Sequence, residues 1–470
     1  MLQPPPSGSH PVLYARKMMQ LASCLQVTAP PEPQVQNQIS GSFDNLMLRA
    51  IETARSLVNS NDEMVGSIEG IECIAMESIY HSYTGDLCRA WLTLRRAMLI
   101  AQTMGLHRGV HPPYMGMTTD GHRQPDPDQL WFTLVHLDRY FSLMNGLPQC
   151  SSESSFAAPA KLENCTPEEK LRRLDCAAAG IILKNRENPV CDYEMVLEAD
   201  RLLQKAAACM PPGWRLLYSF TNTLAKNTEA EHWARLKENV RHYHLLVQLH
   251  WPSLLCNNDD WEHEYSKISA VNASREALVR CIALTDSKYV TYHSPAFNRI
   301  AFFASLALCL GYLDVSRRDY QTAYAALFSH QRQNDRDMME QALFNMEHMK
   351  LLEYDTASAK IKTIFQQLLA IDASASNGTK YDFRVLAENN YNGEFSSEVI
   401  DGRGLRVHIP SHGTIVIESC KEAYDSRETA ATTYPSEQNA QETAFFPSFS
   451  PIMTDGVHFG LDFNAHEWTL

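Results

Sequence analysis

Up to about residue 372 the apolar positions follow helical spacing, one helix after another. Leu87, Trp91, Leu94, Met98 and Ala101 fall four, three, four and three residues apart, which draws one stripe down a helix. Leu92, Leu99 and Ile100 extend apolarity round that helix and leave Arg89, Arg96 and Thr103 as a narrow polar strip, so it is expected to be mostly buried. Leu130, Leu134, Leu137, Phe141 and Met144 draw a second stripe, with Trp131, Asp138 and Ser142 on an adjoining face. Further helices are expected near 191–209, 231–250, 268–290, 296–313, 320–350 and 356–372.

The ends are punctuated as helix ends should be. Asp126-Pro127-Asp128-Gln129 and Thr166-Pro167-Glu168-Glu169 read as capping boxes with proline in the first turn, and Ser294-Pro295 opens a third helix in that style. Gly105 and Gly146 each suit the left-handed residue that closes a helix. After Ala373 the pattern changes: Leu405–Glu418 reads as two short strands round a turn at Ser411-His412-Gly413. From about 421 the chain is rich in Ser, Thr, Glu and Ala and reads as disordered. The expected fold is all-α: a large multi-helix bundle over 1–372, an irregular segment with a β-hairpin over 373–420, and an acidic, aromatic tail over 421–470.

Composition narrows the function classes. Of 470 residues 44% are apolar and 20% charged, an ordinary globular balance. The net charge of −14 gives no global attraction for nucleic acid, since phosphate affinity needs clustered Lys and Arg. Arg95-Arg96 and Arg172-Arg173 are isolated pairs, better suited to solvated faces or internal ion pairs. None of the 12 cysteines forms a Cys-x-x-Cys pair; the nearest two, Cys165 and Cys176, are eleven apart, so the ligand spacing of a zinc cluster is absent. The chain opens on proline rather than a signal-like run, and its longest uncharged apolar run, Ile300–Leu313, reads as a buried helix. These features predict a soluble intracellular protein without disulfides.

Catalytic and metal motifs are missing. There is no Gly-x-Gly-x-x-Gly, phosphate loop, Gly-x-Ser-x-Gly or His-Glu-x-x-His. His242 and His244, two apart on a helix, point to different sides and cannot share one ion, so with His250 they are expected to be surface or packing histidines. Trp91 and Trp131 are expected to be core anchors, and the lone cysteines small core residues. Asp138, on a partly buried face, needs a cation from a neighbouring helix, with Arg108 a candidate. Residues 441–470 place six bulky aromatics, Phe445 and Trp468 among them, between four acids with no Lys or Arg. That composition fits either an activation segment or a tail that folds back onto the bundle.

Two segments carry a family resemblance. Ala90-Trp91-Leu92 through Ala97, Ala101 and Gly105-Leu106-His107-Arg108 resembles the "AW…A…A…GLHR" helix of the fungal-specific transcription-factor domain, the middle homology region of the binuclear zinc-cluster factors. Leu130-Trp131-Phe132 through Leu137-Asp138-Arg139-Tyr140, Ser142 and Gly146-Leu147-Pro148 resembles its following "LWW…LDR…S…GRP" helix, with Phe132 in place of the second tryptophan and Leu147 in place of arginine. Met210–Trp214 and Leu249–Pro252 are similar to weaker downstream elements. The signature residues are thus Trp91, Gly105, Leu106, His107, Arg108, Leu130, Trp131, Asp138, Arg139, Gly146 and Pro148.

The resemblance implies a nuclear regulator of fungal transcription that controls a metabolic or secondary-metabolite gene cluster and responds to partner proteins or a small-molecule effector. His10–Arg16 already resembles the opening of the regulatory domain, so the family's N-terminal zinc cluster is expected to be either missing or lost from this chain. Unless such a cluster has been lost from it, DNA contact is expected only through a partner, such as another zinc-cluster factor or the transcription machinery. The competing expectation is a modulator of such a factor that does not read DNA. An enzyme on a helical scaffold is disfavoured, with no cofactor, metal or catalytic residue expected.

Overall fold

The computed structural model describes residues 4–27, 45–110, 126–188, 191–216, 226–256, 261–285, 295–317, 328, 330–348, 356–386, 396–400, 404–409 and 413–420. In chain order its elements are α1 (Pro11–Val27), α2 (45–54, running into a π-turn at Arg55–Asn59), α3 (Ile68–Tyr83), α4 (Leu87–Thr103) and α5 (Pro127–Asn145). They continue with α6 (Pro159–Leu162), α7 (Pro167–Glu187), α8 (Tyr193–Ala208), α9 (Lys226–Leu254), α10 (Trp261–Thr285) and α11 (Pro295–Arg317). α12 (Arg332–His348), α13 (Thr356–Ser376) and strands β1 (Tyr381–Leu386), β2 (Ser396–Ile400), β3 (Gly404–Ile409) and β4 (Gly413–Ser419) complete them. The all-α reading holds for the bundle. The tail from 421, with its aromatic segment, lies outside the described residues, as do Ser411 and His412 of the expected turn.

Local chemistry explains the helix ends. Thr166 and Glu169 form a reciprocal capping box at α7. Asp126 caps α5 by accepting from the Asp128 N–H, but Gln129 does not reach back; its side chain accepts from Arg173 instead, so the expected box is only half formed. Gly105 (φ 82°) and Gly146 (φ 64°) take the left-handed conformation expected of them.

Two helices are enclosed by their neighbours. α3 packs against α1, the π-turn at Arg55–Asn59, α4 and α5 and buries nearly every residue, Glu69, Glu72 and Glu77 included. Glu72 meets Arg16 at 2.8 Å, and Glu77 accepts from Asn59 at 2.7 Å. α11 fills the same role in the second half, between α9, α10, α12, α13 and β1. It is long and apolar enough by composition to cross a membrane, yet 296–314 is buried inside the protein, as expected of a core helix. Around it Trp251 and Phe303 meet edge to face at 6.0 Å.

Two burial expectations fail. Of the cysteines expected in the core only Cys73, Cys176, Cys281 and Cys309 are buried; the others sit at partly open helix and loop positions, and Cys420 is exposed. Leu92 and Leu99 are 57% and 61% exposed, because α4 is covered by α3 and α5 on one side only. The face carrying Arg89, Leu92 and Leu99 points outward, while Arg96 turns to the Asn59 carbonyl and Asp62.

The expected hairpin is present as β3 and β4, antiparallel with Leu405 opposite Ile417. It is the centre of a four-stranded sheet in the order β1-β4-β3-β2. Tyr381 and Phe383 of β1 alternate inward and join the apolar core around α11.

Candidate functional site

The signature residues meet along one side of α5, where it faces α4 and α7. Trp91 on α4 donates its indole N–H to Ser142 on α5 at 3.2 Å, and the Ser142 hydroxyl donates to the Pro148 carbonyl at 3.1 Å. Arg95, one turn after Trp91, stacks on that indole at 4.5 Å and also donates to the Pro148 carbonyl. The indole of Trp91 is thus a bracket between two helices as well as a packing surface.

Asp138 is fully buried, and its partner is Arg95 rather than Arg108. Oδ1 lies 3.1 Å from Arg95 Nε, a charge contact without hydrogen-bond alignment, while Oδ2 accepts the Cys150 N–H at 2.6 Å. Arg108 sits beyond Gly105, in the short turn Leu106–Arg108, and donates to His107 instead. Burial pushes the Asp138 carboxyl up to about 6, against the pull of Arg95, the Cys150 N–H and Arg139.

Arg139 points the other way. Its guanidinium donates to Gln149 Oε1 (3.0 Å), the Ser151 carbonyl (3.1 Å), the Glu153 carbonyl (2.5 Å) and the Cys176 carbonyl on α7 (2.9 Å). It lies flat on α7 at Gly180, where a Cβ would stand 2.7 Å from the guanidinium carbon. Gln149 in turn donates to the Gly180 carbonyl at 3.0 Å. One turn of α5 therefore fastens the 147–154 loop to both neighbouring helices.

Beside this brace the two signature segments border a cleft of about 360 Å³. Trp131, buried on α5, lies with its ring 5.9 Å from that of His107 and donates its N–H to Glu153 at 2.8 Å. Phe132 and Phe156, 5.0 Å apart, form an apolar wall, and Arg173 of α7 stacks on Phe132 at 4.8 Å. Arg108 and Lys161 complete the rim. His107 accepts at Nε2 from Arg108 at 3.0 Å, which places a neutral imidazole's proton on Nδ1. Leu130 and Leu106 are buried behind the cleft.

A second polar cluster, unmarked by any motif, lies between α5, α7 and α9. Lys237, Arg241, His244 and Gln248 are all buried along one side of α9. Of the histidines read as surface or packing groups, all three are buried. His242 meets Asp175 at 3.0 Å, His250 lies 3.8 Å from Asp200, and His244 meets Gln248 at 3.2 Å. Burial holds His244 and His136 down to about 3. A small cavity of about 30 Å³ lies between them, room for one or two waters.

Burial pushes the Cys176 thiol up to about 11, far from a reactive thiolate. Among the described residues no group of three His, Cys, Asp or Glu is placed to hold a metal ion.

No family model matches the chain, and no solved structure matches it. Curated relatives do. The dehydrocurvularin biosynthesis regulator of Alternaria cinerariae is 32% identical over 465 residues, 97% of this chain and 58% of the relative. The protein of the same name from Aspergillus terreus is 33% identical over 89% of this chain and 57% of its own length. Transcription factor eupR of a Phoma species is 37% identical over 53% of this chain and 55% of its own length. The chain thus spans little more than half the length of the relatives it matches. They bear out the resemblance carried by the two signature helices at the level of fungal transcription regulators.

Proposed function

The chain is a relative of fungal transcription factors and biosynthesis regulators, and on that premise we propose that it regulates transcription of a fungal secondary-metabolite gene cluster through its helical bundle. The observation that carries this is the breadth of the likeness, which covers 97% of the chain at 32% identity to a protein named as a biosynthesis regulator. The brace supports it: Trp91, Asp138, Arg139, Ser142 and Pro148, residues of the two signature segments, are bonded into one unit that sets how α4, α5 and α7 sit together. We assign the signature residues this positioning role rather than a catalytic one, and we place the protein in the nucleus.

Within these 470 residues no two cysteines come closer than eleven positions, and the net charge is −14. That favours promoter contact made by polypeptide other than these residues, through a DNA-binding partner or the transcription machinery. Deleting the coding sequence in the fungus that carries it should silence the transcripts of one biosynthetic cluster together, and restoring the chain should recover them. Unchanged transcript levels across the genome under producing conditions would refute the proposal. Chromatin capture of the tagged chain at that cluster's promoters, lost when a zinc-cluster factor is removed, would identify the partner route.

A further inference from the structure

The cleft between the two signature segments has an imbalance in its polar groups. Its carboxylates are already engaged. Asp128 is paired with Lys161 at 3.1 Å, and Glu153 accepts from the Trp131 indole at 2.8 Å and from the Ser155 hydroxyl at 2.5 Å. Its arginines are not. Arg108 spends its Nε–H on His107 Nε2, and Arg173 reaches only neutral oxygens, those of Gln129 at 3.2 Å and Phe156 at 3.4 Å. Among the described residues neither arginine is paired with a carboxylate. Each guanidinium carries five N–H donors in a planar fork that matches a carboxylate. A protein with a net charge of −14 thus keeps a local positive excess here, above an aromatic wall of Phe132 and Phe156 with Trp131 beside it.

The volume, about 360 Å³, lies in the range of small-molecule sites. We propose that this cleft binds a small, flat aromatic carboxylic acid, with Arg108 and Arg173 holding the carboxylate and Phe132, Phe156 and Trp131 flanking the ring. Stacking of Arg173 on Phe132 fixes the height of its fork, so an acid lying along the phenylalanine wall reaches the charge without leaving the apolar surface. An effector bound there touches His107 and Arg108 from the end of α4, Trp131 from α5 and Arg173 from α7 at once. It would therefore bias the packing of the three helices that the brace ties together. The amide of the acid would offer a single uncharged acceptor oxygen in place of a charged carboxylate with two.

The test uses the purified 470-residue chain and sodium 2-naphthoate as the probe, followed by isothermal titration calorimetry at pH 7.5. Naphthoate should bind one to one, 2-naphthamide at least tenfold more weakly because it lacks the charge that strengthens each hydrogen bond, and cyclohexanecarboxylate at least tenfold more weakly because it keeps the charge but lacks a flat ring for the aromatic wall. Arg108→Gln with Arg173→Gln should lower naphthoate affinity by at least tenfold, while Arg89→Gln on the outer face of α4 leaves it unchanged. Circular dichroism melting checks folding. Should the double variant melt early, Arg108→Gln alone, altering an exposed side chain, must still weaken naphthoate. No saturable heat with naphthoate, equal affinity for the amide, or indifference to the arginine substitutions in folded protein would each overturn the site. Because binding is read on the isolated chain, its failure leaves the transcriptional reading standing.

Discussion

Replacing Asp138 tests the brace most directly. Asp138→Ala removes the acceptor of the Cys150 N–H, bonded at 2.6 Å, and the charge facing Arg95 at 3.1 Å. Breaking a fully buried pair costs about 3–5 kcal/mol. Arg95 is 21% exposed and keeps its bond to the Pro148 carbonyl, so part of its charge can be recovered by water. The cost should therefore be about 2–4 kcal/mol. For a 470-residue chain that lowers the melting temperature by only about 2–4 °C, so guanidinium midpoints followed by circular dichroism are the better readout. Asp138→Asn keeps an acceptor for Cys150 and isolates the charge. With the folded carboxyl pushed up to about 6, above the unfolded value near 3.9, the native state binds the proton more tightly. This group's contribution to stability then grows as pH falls through about 6 and levels off near 4. Between pH 7.5 and 5.0 the wild-type chain should gain about 1.4 kcal/mol on Asp138→Asn. An alanine variant costing under about 0.5 kcal/mol, within the range of an ordinary surface substitution, would refute the placement of Asp138 in the brace. A wild-type advantage that shrinks on acidification would refute the burial argument.

Two further outcomes follow from the same contacts. Gly180→Ala would normally stabilise a helix by about 1 kcal/mol, but here the new Cβ stands 2.7 Å from a guanidinium held on four sides, so a loss of about 1–3 kcal/mol is expected from the denaturation midpoint; a gain would show that Arg139 is free to move. His244, held down to about 3 by burial, binds fewer protons folded than unfolded, so its contribution to stability is lost as pH falls through about 6.5. His244→Gln should accordingly remove about 1.3 kcal/mol of the acid destabilisation between pH 7.5 and 5.5, and an identical pH dependence in the two proteins would place His244 in contact with water.

Helix positions were legible because their ends obey local rules: Thr166, Gly105 and Gly146 act within their own few residues. What the sequence concealed depends on which helix lies opposite. Leu92 and Leu99 have the spacing of a buried stripe, yet no element among the described residues covers that face of α4. Lys237, Arg241, His244 and Gln248, at spacings of four, three and four, have the pattern of a solvated stripe, and they are buried because α9 is packed by α7, α8, α10 and α11. The same holds for Glu72 and Glu77 of α3. Strand β1 could have been found from its alternation of Tyr381, Phe383 and Val385 with Asp382 and Arg384, a period-two signal that needs no partner.

The signature itself becomes intelligible from geometry. Asp138 and Arg139 are adjacent, so on a helix they diverge by about 100°. That divergence sends the carboxylate toward α4 and the guanidinium toward α7, and Ser142, one turn on, meets Trp91. The loop that follows Gly146 passes back over the same turn, where Cys150 gives its N–H to Asp138 and the Ser151 and Glu153 carbonyls accept from Arg139. Each side chain thus satisfies backbone groups that the loop would otherwise bury unpaired. Lysine at 139 could not span these acceptors, because a single ammonium cannot match a planar fork. Replacing Asp138 by a neutral residue leaves the Arg95 charge facing an apolar helix. The signature is therefore fixed by position: these residue types, at this spacing, hold three helices and a loop in one arrangement beside the cleft.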